Sequence, residues 1–171
     1  TYNIVDSDAN IAGAGNALLT TAGTVEVSGT STVVHASTMG GFTKAVSYSI
    51  SDSAANALTT LDQGYNEAVN ITITGNLTVA KADVIKEAGN SGDKTYVIED
   101  SAAAITAAVT GTTGATTDVQ TLSSATSVTA NTSATFAEAA TIAGIATTIS
   151  YSISVEQANI PGSTTGALNE A

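Results

Sequence analysis

The sequence predicts an α/β repeat solenoid, built from strand-helix coils whose strands stack into a parallel sheet. Three observations carry that expectation: a Tyr-x-Ile segment that occurs four times, a Val/Ile pair motif that occurs three times between the tyrosines, and helix-start signals at matching places behind both.

The first strand of each repeat is the Tyr-x-Ile segment. Tyr2, Tyr48, Tyr96 and Tyr151 lie 46, 48 and 55 residues apart, each with an isoleucine two positions on, at Ile4, Ile50, Ile98 and Ile153. That period-two alternation is the pattern of a half-buried strand. Asp6-Ser7, Asp52-Ser53 and Asp100-Ser101 follow in the first three copies. A short side-chain oxygen at such a place accepts from the free N–H groups of a first helical turn, so these pairs are read as helix caps. Behind them Ala55, Leu58 and Leu61 recur at a spacing of three, and Ile11, Ala14 and Leu18 in the first copy at three and four, predicting a helix with one apolar face in each case.

The second strand comes from TVEVSGTSTVVHA (24–36), NITITGNLTVAKA (70–82) and SVTANTSATFAEA (127–139), which align without a gap. The pairs Val25/Val27, Ile71/Ile73 and Val128/Ala130 predict the strands, and Thr32, Thr78 and Thr135 the next N-caps. Glu138 completes a Thr-x-x-Glu capping box. The helix over KADVIKEA is expected to stop at Gly89-Asn90. One strand and one helix in about 23 residues suit an α/β solenoid, with an all-β parallel solenoid as the alternative in which the Ala-rich runs are loops. The predicted units are 1–46, 47–94, 95–149 with an insertion loop over 109–126, and a partial terminal repeat over 150–171. In that last copy Val155-Glu156 replaces Asp-Ser and Pro161 follows soon after.

Composition narrows the function. The 171 residues carry 15 acidic side chains against four lysines and no arginine, a formal charge of -11. Nucleic-acid binding needs clustered Lys and Arg, so it is not expected, and an anionic membrane surface is disfavoured equally. No apolar run approaches a membrane span, so no membrane insertion is expected. The absence of cysteine removes disulfides and thiolate chemistry. More than a quarter of the chain is Thr or Ser, and 43% is hydrophobic, mostly small and β-branched, which suits thin, closely packed layers. The chain opens at Thr1 without an initiator Met, as a processed product or a segment of a longer protein would.

The block Tyr-x-Ile-x-Asp-Ser-Ala-Ala-Asn at 48–56, with Val-x-Ile-x-Gly-x-x-Thr-Val-Ala-x-Ala-like sequence behind it, resembles repeats of very large secreted or surface proteins of bacteria. Cyanobacteria and marine proteobacteria carry many of them, adhesin-like or surface-layer-like, with a signature that often reads D-T-A-A-N. The resemblance covers nearly the whole chain and implies an extracellular or cell-surface location, with calcium association in some members. It brings no catalytic residue.

Candidate chemistry is sparse. Asp52 and Ser53 on one turn do not make a triad without a histidine between them. The one histidine, His35, aligns with Lys81 and Glu138, which reads as a solvated helix position. Without Arg, a lyase on a solenoid scaffold is the weakest reading, and no enzymatic activity is expected. Calcium is the one cofactor suggested, through Asp6, Asp8, Asp52 and Asp100, with Glu99 close by, although there is no EF-hand spacing or Gly-rich nonapeptide. Rungs of such a ladder would stand roughly 9–10 Å apart, too far to share one ion. Sequons at Asn70, Asn76 and Asn131 are candidate glycosylation sites. Gly13-x-Gly15 and the Gly111/Gly114 stretch lack the spacing and lysine of a phosphate loop. The tyrosines are expected to stack as a core ladder, with an exposed sugar-binding strip as the sharper alternative. The expected function is a non-enzymatic structural or adhesive module that associates end to end with copies of itself or with neighbouring repeats of a longer chain, in a fibre or surface lattice. The alternative is a glycan- or calcium-binding segment of a large adhesin, with surface glycans as partners gripped on the 109–126 face.

Overall fold

A computed structural model describes residues 2–111, 118–145 and 148–154. Along the chain the elements are β1 (Ile4–Asp6), α1 (Asp8–Ala14), α2 (Asn16–Leu19), β2 (Val25–Ser31), α3 (Val33–Gly40), β3 (Ser47–Ser53), α4 (Gln63–Glu67), β4 (Ile71–Leu77), α5 (Val79–Glu87), β5 (Lys94–Asp100), α6 (Ala102–Thr110), α7 (Asp118–Ser124), β6 (Ser127–Ala130), α8 (Phe136–Ile142) and β7 (Ile149–Ser150). The strands form one seven-stranded sheet in chain order, every neighbouring pair parallel, alternating with helices. The chain is therefore α/β, and the Ala-rich run at 102–110 is helix, against the all-β alternative.

Alternation decides which side of the sheet meets the helices. Val25, Val27, Tyr48, Ile50, Ile71, Ile73, Tyr96, Ile98 and Val128 are buried. Their neighbours Glu26, Ser47, Ser51, Thr74 and Thr95 are exposed, which leaves the other face of the sheet polar and open. Each fully buried Val or Ile contributes about 1.5–3 kcal/mol. Gly29 and Gly75 have φ of 100° and 81°, and beside them the register of β2 on β3 and of β4 on β5 shifts, between Glu26 and Thr30 and between Thr72 and Asn76. A residue with a Cβ is strained there, so glycine is what the bulge needs.

The cap expectations at threonine hold. The hydroxyls of Thr32, Thr78 and Thr135 accept from the N–H of His35, Lys81 and Glu138, and the Thr135/Glu138 capping box is closed on both sides. Helix α5 ends at Glu87 with Ala88 as C-cap, just before the expected Gly89-Asn90.

Four expectations are corrected. No helix follows Asp52-Ser53: residues 54–56 turn, Ala55 is exposed, Leu61 is 46% exposed, and the short α4 starts only after Asp62. Tertiary packing decides this, because α4 presses Gly64 against the backbone of α3, where a Cβ would lie 2.5 Å from Ala36 C. The Ile11/Ala14/Leu18 face is also broken: Gly15 at φ 72° divides α1 from α2, so Leu19 is buried and Leu18 is 66% exposed. The insertion loop over 109–126 is partly helical, since α7 buries Thr121 and Leu122, while residues 112–117, with Gly114, lie outside the described residues. The tyrosine ladder is a core feature only inside the sheet: Tyr48 and Tyr96 are buried, Tyr2 is exposed and Tyr151 half-buried. Val155-Glu156 and Pro161 lie outside the described residues.

Candidate functional site

The polar chemistry of the fold concentrates at the Asp-Ser corners. Ser7 and Ser101 are the N-caps of α1 and α6, with hydroxyls accepting from Asn10 N–H and Ala104 N–H. Ser53 ends β3 and caps no helix among the described residues. The aspartate beside each serine holds its own corner with one oxygen: Oδ1 of Asp6, Asp52 and Asp100 accepts from the N–H of Ser7, Ser53 and Ser101 at 2.7, 2.7 and 2.8 Å. In the first two corners the asparagine four residues on also donates to that oxygen, Asn10 to Asp6 and Asn56 to Asp52, both at 2.8 Å.

The second oxygen reaches another unit. Asp52 Oδ2 accepts from Val33 N–H, the first helical amide of α3, and Asp100 Oδ2 accepts from Val79 N–H, the first of α5, both at 2.9 Å. The first four amides of a helix lack intrahelical partners and carry its positive end, so a carboxylate there is favoured. Each of these aspartates therefore ties the helix before its strand to the corner after it. At α6 the same job falls to a hydroxyl, Thr132 Oγ1, which accepts from Ala102 N–H at 3.0 Å. Asp6 Oδ2 has no partner among the described residues.

His35 is half-exposed, as a solvated helix position would be, but its side chain is engaged. Its Nδ1 lies 2.6 Å from Asp8 Oδ2, which also accepts from Thr32 N–H. At the aligned position Lys81 Nζ donates to Ala54 O at 2.8 Å, again 27 residues away. His35 thus stitches the third residue of α3 to the corner after β1, and Lys81 the third residue of α5 to the corner after β3. Burial works against the charge of Asp8 and Asp52. In each, hydrogen bonds outweigh it and hold the carboxyl below its ordinary value, from His35, Thr32 and Ala9 for Asp8 and from Val33, Asn56 and Ser53 for Asp52. The Asn10 side chain and Ser7 N–H lower Asp6 likewise.

Of the calcium candidates, Asp6, Asp52 and Asp100 sit on successive corners and Asp8 on the His35 pair, so the fold does not bring them onto one point. Among the described residues no three His, Cys, Asp or Glu side chains gather into a group that could hold a metal ion. Glu99 instead accepts from the Asn76 amide. Of the sequons, Asn76 and Asn131 are exposed, whereas half-buried Asn70 accepts from Asp93 N–H at 2.9 Å. Among the described residues no helix is long and apolar enough to cross a membrane. Sequence reasoning missed the reach of the second aspartate oxygen. The asparagine four residues after Asp6 and Asp52 was its visible companion, since it marks the first oxygen as occupied.

Comparison of the chain with protein-family models, with curated proteins and with solved structures gives no match. The functional reading rests on the geometry of the corners and of the sheet.

Proposed function

We propose that the chain is a solenoid of strand-helix coils and works as a non-enzymatic structural or adhesive module at a cell surface or outside the cell, associating end to end into a fibre or lattice. The observation that carries this reading is the sheet itself: seven strands in chain order, each parallel to the next, so that every strand-helix unit packs on its sequence neighbours. Units of that kind gain stability by stacking on further units. The polar corners support the same reading, because their donors and acceptors are spent on joining units.

The experiment is a concentration series of the 171-residue chain by sedimentation velocity, with electron micrographs of the concentrated end. Species growing with concentration, and linear or sheet-like particles, are expected. Monomers alone at every concentration would overturn the reading.

A second reading, glycan binding, draws on the uncovered, hydroxyl-rich face of the sheet, where Glu26, Ser47 and Ser49 line a shallow notch beside the β2 bulge. Parallel sheets are ordinarily covered on both faces, so an open one invites a ligand. Glycan arrays that return no binder would remove this alternative.

A further inference from the structure

We propose that the first bulge of the sheet, where β2 runs beside β3, binds N-acetylated amino sugars of an uncharged polysaccharide. This inference rests on the glycan reading above, and it names the subsite and the class of sugar.

The site begins with the backbone. Glu26 pairs with Ser47 and Thr30 with Ser49, so Val27, Ser28 and Gly29 stand against Tyr48 alone. Surplus residues on one strand interrupt the ladder there. Beside them lies a hollow of about 180 Å³, lined by Glu26, Ser47 and Ser49 on the uncovered face of the sheet. A second hollow of about 320 Å³ adjoins it through Ser47, walled by Val25, Ala45 and Val46, with Lys44 on the same wall.

The two hollows differ in chemistry. The first offers a carboxylate that accepts from two O–H groups at once, with serine hydroxyls beside it. Ser47 lies one strand spacing from Glu26, about 4.8 Å, and Ser49 about 6.6 Å further along β3. A patch of that span suits the vicinal hydroxyls of one pyranose ring. The second hollow is mostly apolar, and Lys44 Nζ is fixed there by donating to Gly23 O at 2.7 Å. An ammonium has three donors, so that bond spends one of them. An acetamido group fits this hollow: its methyl takes the apolar wall and its carbonyl accepts from Lys44. Because Ser47 belongs to both hollows, the hydroxyls and the acetamido group are those of one sugar unit. A formal charge of -11 repels uronic or sulfated sugars, so the ligand is uncharged.

The same bulge occurs a second time without these groups. Between β4 and β5, Ile73, Thr74 and Gly75 stand against Tyr96, and Thr72, Thr95 and Val97 take the places of Glu26, Ser47 and Ser49. Gly92 takes the place of Lys44, so close to β4 that a Cβ would stand 1.7 Å from Val69 O. Asn70 Oδ1 holds the next residue, accepting from Asp93 N–H at 2.9 Å. The bulge therefore forms without a carboxylate, a second serine or a lysine beside it, and a ligand accounts for their meeting at the first one.

The test follows amide NMR signals of the isotope-labelled full chain, kept dilute, during titration with chitotetraose, cellotetraose and an alginate tetramer. Chitotetraose is expected to shift residues 23–29 and 44–49 saturably and to bind several-fold more tightly than cellotetraose, while alginate shifts nothing. Equal affinity for chitotetraose and either of the other two would overturn the proposal. Saturable shifts confined to other strands of the open face would overturn the site and leave the glycan reading standing. No shift with any of the three at millimolar concentration would remove both. Glu26→Gln is expected to weaken chitotetraose binding about tenfold. Ala45→Leu, which fills the apolar hollow from an exposed position, is expected to bring chitotetraose down to the affinity of cellotetraose. Thr72→Gln at the second bulge is the control and is expected to bind as the parent does. Binding by Glu26→Gln and Ala45→Leu equal to the parent's would overturn the site.

Discussion

Asp52 receives three donors at once, the N–H of Val33 and of Ser53 and the side-chain amide of Asn56. Asp52→Ala leaves all three without their acceptor, and a loss of about 1–3 kcal/mol is expected in urea unfolding. The loss has a pH signature. The folded carboxyl lies below its ordinary value of 3.8, so its contribution is complete above that value and fades as pH falls through the folded pKa. The stability gap between parent and variant is thus expected to be constant from neutral pH to about 5 and to shrink below 4. A gap independent of pH down to acid would show that the charge plays no part. The buried tyrosines are tied by their hydroxyls: Tyr48 donates to Gly64 O at 2.9 Å and Tyr96 to Thr121 O at 3.0 Å. Burial, with Glu67 and Asp62 nearby, pushes the Tyr48 phenol far up, and burial with Asp83 takes Tyr96 to about 12 despite Ser124. Tyr48→Phe would leave a buried carbonyl without its donor, and thermal melts are expected to show a loss of about 1 kcal/mol.

Among the elements, α4 is held by its neighbours. It has five residues, too few to persist alone, and is held by Asp62, which accepts from Gly64 N–H at 2.7 Å and from Ser37 Oγ across on α3. Gly40 and Gly64 let the two backbones meet: a Cβ on Gly40 would stand 2.6 Å from Gly64 N, and one on Gly64 2.5 Å from Ala36 C. Gly64→Ala is therefore expected to cost about 1–3 kcal/mol or more and to free Tyr65 from the core. Equal denaturation midpoints for parent and variant would contradict the close approach. Gly13→Ala, at a place with nothing within 4 Å, is the matched control.

Across the whole molecule charge is lopsided. Lys44, Lys81 and Lys94 each donate to a backbone carbonyl, at Gly23, Ala54 and Ala88, so these cations serve loops, corners and a helix end. The one ion pair among the described residues is His35 with Asp8, and it requires a protonated histidine. A formal charge of -11 then acts mainly as self-repulsion, which salt screens over about 10 Å at 0.1 M. The melting temperature at neutral pH is expected to rise as sodium chloride is raised from low ionic strength. A flat or falling trend would mean that the acidic groups are compensated locally. The same repulsion opposes end-to-end contact, so association is expected to strengthen with salt as well.

How much was legible follows from the range of each interaction. Hydrophobic alternation and the Thr-x-x caps act within a few residues, and from them the sequence by itself determined the strand positions, the helices behind Thr32, Thr78 and Thr135, and the α/β class. The helix expected over Ala55 to Leu61 failed because its spacing was compatible with a helix while the backbone contact of Gly64 with Ala36 favoured another path. The corners were half legible: Asp-Ser announced a cap, yet the target of Asp52 Oδ2 lies 19 residues back and that of Asp100 Oδ2 lies 21 back. Only the tertiary structure decided which helix each aspartate holds, that His35 pairs with Asp8, and which tyrosines are core. Those outcomes depend on which strands become neighbours, and sheet formation alone brings such distant residues within hydrogen-bonding reach.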